Sequence, residues 1–168
     1  LTESLAGSQV CFMDIDEERL ETIHDLAMRY ASQLGADLSL DRTTDRQASL
    51  KDADFVINTA SVVSHSESIA RREIGERHGY YYGRVSTGEY NYRNMKFMMD
   101  VIHDMEEVCP DAWLIQSGNP VKDGCSLMTR ESDVKVIGLC HGHYGYRSIS
   151  RTIGIDPEKV TWQAPGLN

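Results

Sequence analysis

The residue pair with the clearest chemical signature is Cys140-His141, which follows an apolar run over residues 134–139. A thiolate and an imidazole are both good ligands for a divalent transition metal. Adjacent residues of a strand point to opposite sides of a sheet, so Cys140 and His141 need not share one metal. The alternatives are a nucleophilic cysteine–histidine pair and a small buried cysteine. The sequence therefore makes Cys140 a candidate metal ligand without completing a metal site.

A carboxylate and an amide occupy comparable positions after two other apolar runs. Asp14 follows residues 10–13 and precedes a helical pattern, a position where a carboxylate can accept hydrogen bonds from the ribose hydroxyls of an adenosine cofactor. It would also repel a 2′-phosphate, which favours NAD over NADP; a helix N-cap is the alternative. Asn119 is held by the restricted backbone before Pro120, so its amide can face a hydroxylated ligand, unless this is an ordinary turn.

The short segment Asn58-Thr59-Ala60 follows a further apolar run. Small side chains after a strand allow a cofactor to approach the backbone closely, which makes all three residues candidates for cofactor binding. An ordinary strand-to-helix turn is an equally good interpretation of the segment by itself.

Short apolar runs that alternate with helical patterns must position these residues. The predicted strands cover residues 10–13, 38–40, 54–58, 113–116, 134–139 and 160–163. Such alternation predicts βαβ crossovers and a doubly wound α/β domain with a mostly parallel sheet. Ligands of these sheets bind beyond the carboxyl ends of the strands, so the candidate residues should converge on one edge.

Local signals define the helices between these strands. Asp16 can cap the first helix and Gly35 can end it, while Ser64 and Glu67 have the spacing of a capping box. Methionines and other apolar residues at positions 95, 98, 102, 105 and 109 predict a buried helix face. Residues 79–90, rich in glycine and tyrosine, are predicted to form a loop.

Composition excludes several classes of protein. The 17 basic and 26 acidic residues give a net charge of −9, which disfavours nucleic-acid and polybasic membrane-surface binding. No apolar run is long enough to span a membrane. None of the four cysteines forms a CxxC pair, which favours a reduced, cytoplasmic protein over a zinc ribbon. We expect one domain over residues 1–168, and expect it to be a piece that lacks the glycine-rich phosphate loop of a dinucleotide-binding fold.

Four runs of the chain resemble glycoside hydrolase family 4. They are residues 13–20, 53–60, 118–121 and 138–145, in the family's order and at matching spacing. The resemblance covers essentially the whole chain and is strongest to members that act on unphosphorylated α-glycosides. The Cys140-His141 pair is specific to the family, whereas the Asp14 and Asn119 motifs are shared with the lactate and malate dehydrogenases.

The resemblance implies a partial Rossmann-like domain of a glycosidase that uses NAD and a divalent metal, usually manganese. In that family NAD takes a hydride from sugar C3, the C2 proton is removed with the help of the metal, and the aglycone is eliminated. Water then adds, and the hydride returns from NADH to C3. By motif match, Cys140 would bind the metal, Asn119 and His141 would bind the substrate, and Asp14 would bind the adenosine ribose. His141 further implies that the sugar carries no 6-phosphate.

Several family features are expected outside residues 1–168. A histidine ligand follows a Gly-x-Asn motif that residues 166–168 match, and the general acid and base belong to a C-terminal half. These residues alone are therefore expected to be inactive, and the intact protein to form a dimer or tetramer. Two alternatives stay open: a 2-hydroxy acid dehydrogenase of the lactate/malate type, and a non-catalytic domain that senses NAD.

Overall fold

The computed structural model describes residues 3–79, 88–140 and 145–161. Its strands are β1 (Ser8–Met13), β2 (Leu38–Thr43), β3 (Phe55–Asn58), β4 (Trp113–Gln116) and β5 (Lys135–Gly138). Its helices are α1 (Glu17–Leu34), α2 (Arg46–Leu50), α3 (His65–Arg77), α4 (Gly88–Val108), α5 (Val121–Glu131) and α6 (Gly145–Thr152).

The strands form a two-stranded and a three-stranded parallel sheet. In the first, Ser8 of β1 lies opposite Leu38 of β2, and α1 connects the two strands. In the second, β4 lies between β3 and β5, with Trp113 opposite both Phe55 and Lys135. Parallel neighbours joined through helices confirm the predicted βαβ organisation.

The chain divides into two compact units. The first comprises Leu1–Asp54 with Asp104–Pro110, and the second comprises Phe55–His103 with Asp111–Asn168. The two-stranded sheet belongs to the first unit and the three-stranded sheet to the second.

Helix termini follow the local signals in the sequence. The Asp16 carboxylate accepts a hydrogen bond from the Arg19 backbone N–H at 3.0 Å, and Gly35 ends α1 with a left-handed φ of 59°. The Ser64 hydroxyl accepts from the Glu67 N–H at 3.2 Å at the start of α3. The predicted caps of both helices are confirmed.

The predicted apolar face of α4 is part of the core. Met98, Ile102, Met105 and Cys109 are buried, with at most 6% of each residue exposed, whereas Met95 is half-buried. In the second unit, Leu114 of β4 and Met128 of α5 are also fully buried.

Apart from shifts of one or two residues at strand ends, the following details differ from the sequence expectations. Helix α2 was not predicted, because five residues are too few to show a helical period; Asp45 caps it by accepting from the Ala48 N–H at 3.1 Å. Strand β2 continues to Thr43 because its polar end pairs with β1 through the backbone. Helix α4 begins at Gly88, inside the predicted loop, of which residues 80–87 lie outside the described part. Residues 160 and 161 form no strand, and the remainder of the predicted last strand is not described.

Two glycines allow α5 to pack closely in the second unit. A Cβ atom added to Gly138 of β5 would lie 2.8 Å from Cys125 Sγ and 2.9 Å from Val121 Cγ1, both on α5. A Cβ atom on Gly124 would overlap the thioether of Met98. The spacing between α5 and its neighbours therefore depends on glycine having no side chain.

We expect Gly138→Ala to lower the free energy of unfolding by about 1–3 kcal/mol, because the added methyl group pushes β5 and α5 apart. Urea denaturation followed by circular dichroism measures the change. Gly145→Ala is the control, since a Cβ atom at this first residue of α6 meets nothing within 4 Å. Equal midpoints for the two variants would show that the close packing is unimportant.

Candidate functional site

A buried network of amides joins the carboxyl ends of β3 and β4. Asn58 is 6% exposed and Gln116 is fully buried. Asn58 Nδ2 donates to Gln116 Oε1 at 3.0 Å, and Gln116 Nε2 donates to the Gly118 carbonyl at 2.7 Å. Since an unpaired amide is costly in such surroundings, these bonds determine where the two strands end.

Backbone hydrogen bonds extend the network to the adjoining loops. The N–H groups of Ser117 and Gly118 both donate to the Asn58 carbonyl at 2.9 Å, and the Leu139 N–H donates to the Gln116 carbonyl at 2.9 Å. The segments that follow β3, β4 and β5 therefore leave from one edge of the sheet. This places Thr59, Asn119 and Cys140 at the same edge, as the sequence predicts for these three residues.

Gly118 is the point of closest approach between two of these segments. A Cβ atom at this position would lie 2.6 Å from the Ala60 carbonyl oxygen and 3.2 Å from Gln116 Nε2. Only glycine fits without displacing the backbone after β3. The peptide bond between Asn119 and Pro120 is cis, and Asn119 is exposed, two residues before the start of α5.

Within the segment predicted to bind the cofactor, the three residues play different structural parts. The Asn58 side chain is engaged inside the protein, since Nδ2 donates to Gln116 and Oδ1 accepts from the Ala60 N–H at 3.1 Å. Thr59 and Ala60 are exposed. The Asn58 side chain therefore fixes the start of the segment by hydrogen bonds, whereas Thr59 and Ala60 are accessible to solvent.

Cys140 is half-buried and lies two residues beyond the end of β5, whereas His141 lies among residues 141–144, outside the described part of the chain. Burial raises the pKa of the thiols of Cys109 and Cys125, and partial desolvation with the Asp41 charge raises that of the more exposed Cys11. Over the described residues, no group of three His, Cys, Asp or Glu side chains could hold a metal ion. The role of Cys140 as a ligand stays a prediction.

Asp14 lies at the carboxyl end of β1, in the first unit. Its Oδ1 accepts from the Asp16 N–H at 3.0 Å, and its Oδ2 lies 4.0 Å from Arg19 Nη1. The N-cap of α1 is Asp16, so the alternative interpretation of Asp14 as that cap is wrong. The half-buried carboxylate is positioned by the turn before α1, and its role in ribose binding stays a prediction.

The sequence analysis missed three buried polar residues of the second unit, which are Gln116, Asn94 and Ser150. Gln116 could have been noticed as the polar end of an apolar strand, on the same face as Leu114. Asn94 precedes Met98 by four residues and Val101 by seven, so the helical period could have placed it on the buried face of α4.

We expect Gln116→Leu to lower the free energy of unfolding by about 2–3 kcal/mol, because it removes the partner that Asn58 and the Gly118 carbonyl share. Chemical denaturation measures the change. The control is Gln47→Leu at an exposed position whose side chain makes a surface hydrogen bond to Asp104 at 3.1 Å. If the two variants lost the same stability, the buried network would have no special role.

Comparison with known proteins identifies the class. The model for family 4 glycosyl hydrolases matches residues 1–154, so the chain belongs to this family. It is 28% identical to an α-galactosidase of Bacillus subtilis (strain 168), over 100% of this chain and 40% of the relative. It is 31% identical to a 6-phospho-β-glucosidase of Escherichia coli (strain K12), over 98% of this chain and 38% of the relative. The chain therefore spans about two fifths of the length of these relatives, and the family resemblance is confirmed.

Solved structures show the same fold. A 6-phospho-α-glucosidase from gut microorganisms, in complex with NAD and Mn²⁺, superposes with a TM-score of 0.75 at 21% identity, over 92% of this chain and 36% of that chain. A malate dehydrogenase from Aeropyrum pernix superposes with a TM-score of 0.68 at 15% identity, over 92% of this chain and 46% of that chain. The predicted Rossmann-like α/β fold is confirmed. Of the helices that the structure describes, none is both long and apolar enough to cross a membrane.

Proposed function

We propose that the chain forms the NAD- and metal-binding part of a glycosidase that depends on NAD and a divalent metal such as Mn²⁺. The observation that carries this proposal is the common edge at which exposed Thr59 and Asn119 and half-buried Cys140 follow β3, β4 and β5. Membership of family 4 and the NAD and Mn²⁺ in the related 6-phospho-α-glucosidase support it.

The residues present fit a dinucleotide. Thr59 and Ala60 are exposed and have small side chains, and the Asn58 side chain holds their backbone by accepting a hydrogen bond from the Ala60 N–H. In the first unit, the Asp14 carboxylate can accept hydrogen bonds from two ribose hydroxyls, and its negative charge favours NAD over NADP.

The other segments of this edge supply candidate ligands for a metal and a sugar. Cys140 would hold the metal through its sulfur, Asn119 would donate to and accept from sugar hydroxyls, and His141 would lie beside the substrate. When bound, NAD accepts a hydride from the sugar and the metal acts as a Lewis acid that acidifies the adjacent C–H bond. The part of the chain described here orients these groups, and the general acid and base are expected elsewhere in the full-length protein.

We infer that the substrate is an unphosphorylated α-glycoside. The Cys140-His141 pair and the similarity to an α-galactosidase support this choice, although the relatives also include a 6-phospho-β-glucosidase. We further propose that the intact enzyme is a cytoplasmic homodimer or homotetramer; all four cysteines are thiols, as expected in a reducing compartment. A lactate/malate-type dehydrogenase would share the fold, but the family match favours the glycosidase.

We expect the full-length protein to lose hydrolysis of aryl α-glycosides when either NAD or the metal is removed, and to recover it when the missing component is restored.

Cys140→Ser should weaken Mn²⁺ binding at least tenfold, on the order of 1.4 kcal/mol or more, as measured by calorimetry. Cys11→Ser, at an exposed position in β1, is the control. Activity that survives removal of the metal, or equal Mn²⁺ affinities for the two variants, would contradict the proposal.

We expect kcat/KM for an aryl α-glucoside or α-galactoside to exceed that for its 6-phospho counterpart by about 100-fold. A phosphate needs cationic or hydrogen-bond-donating partners, and leaving it unpaired in a site costs several kcal/mol, which is ample for such a ratio. Steady-state kinetics on both substrate series measures the ratio. A preference for the phosphorylated series would assign the enzyme to the 6-phosphoglycosidases.

A further inference from the structure

Two consecutive residues of α4 hold the backbone of Val62, in the segment that follows β3. The side-chain oxygen of Asn94, a fully buried residue, accepts from the Val62 N–H at 3.1 Å. Arg93 Nη2 donates to the Val62 carbonyl at 3.3 Å. The Ser61 hydroxyl also lies within hydrogen-bond distance of Asn94 Oδ1, at 3.3 Å. Both polar backbone atoms of Val62 are therefore bonded to α4.

Arg93 is itself oriented by a carboxylate on α3. Arg93 Nη1 donates to Glu67 Oε1 at 2.8 Å, and Arg71 Nη2 donates to the same oxygen at 2.7 Å. The hydrogen bond from Arg71, with the nearby charges of Arg93 and Arg71, lowers the pKa of Glu67, so this carboxyl is ionised at neutral pH. A partly exposed ion pair adds little stability. Its effect here is to direct the second nitrogen of Arg93 toward Val62.

The opposite end of the same segment is held at the strand. Asn58 Oδ1 accepts from the Ala60 N–H at 3.1 Å, and the Ala60 carbonyl lies against Gly118. Thr59 and Ala60 thus lie, exposed, between one anchor at Asn58 and another at Val62. A short segment held at both ends has few conformations, so a ligand that binds it loses little entropy on ordering it.

We propose that Arg93 and Asn94 are positioning residues for NAD: they hold the backbone of residues 59–62 in the conformation that binds the cofactor. This inference rests on the proposed function, in which Thr59 and Ala60 contact NAD. Neither Arg93 nor Asn94 needs to touch the cofactor. Their contribution is to the affinity for NAD rather than to the chemical step.

The test uses the full-length protein and measures the dissociation constant for NAD by calorimetry. We expect Arg93→Met to weaken NAD binding about tenfold, because the segment must then be ordered on binding, and Arg93→Lys to recover part of that loss by keeping a donor. Arg72→Met is the control, since Arg72 is 56% exposed and pairs only loosely with Glu76, at 3.7 Å. Asn94→Ala should weaken NAD binding further. Because Asn94 is fully buried, this substitution also lowers the free energy of unfolding, so the Arg93 variants are the cleaner test.

A second readout does not depend on NAD. Hydrogen exchange in the cofactor-free protein should be faster at the Val62 amide, which donates to Asn94, in Arg93→Met than in the wild type, and unchanged in Arg72→Met. If wild-type protein binds no NAD, the proposed function fails and this inference fails with it. If wild-type protein binds NAD and Arg93→Met binds it equally well, or Arg72→Met loses as much affinity, only this inference is overturned.

Discussion

The pairing of two buried amides, Asn58 and Gln116, is the constraint on which the candidate site depends. An amide that is shielded from water and lacks a partner costs about 1–3 kcal/mol, so each of these side chains must find its hydrogen bonds inside the protein. They find them in each other and in the loops that follow, at Ala60 and Gly118. The same bonds that satisfy the interior therefore set the positions from which the segments after β3 and β4 leave the sheet.

Close packing, like hydrogen bonding, fixes the position of backbone segments in the second unit. Gly118 touches the backbone after β3, and Gly138 lets α5 approach β5, so small residues stand where two pieces of backbone or a helix and a strand come together. A site built from backbone held in this way is rigid without large side chains. Such rigidity suits a binding site, because groups that are held in place before a ligand arrives need little ordering on binding.

The ion pairs between α3 and α4 orient a loop more than they stabilise the fold. Glu67 accepts from both Arg71 and Arg93, and Arg93 reaches the Val62 carbonyl. Such partly exposed pairs contribute little to the free energy of folding. They nevertheless restrict the loop beside the proposed cofactor site, which links an ion pair between two helices to the proposed binding of a ligand at the edge of the sheet.

The sequence by itself determined the features that have local physical causes. The Asp16 cap, the Gly35 stop, the Ser64–Glu67 box and the methionine face of α4 depend on neighbouring residues, and four short runs identified the family. Only the tertiary structure decided the partners of Asn58 and Asn94. Asn58 and Gln116 are 58 positions apart, and Asn94 lies 32 positions from Val62. The register of parallel strands and the packing of a helix determine such partners. Neither can be deduced from the local pattern of residues along the sequence.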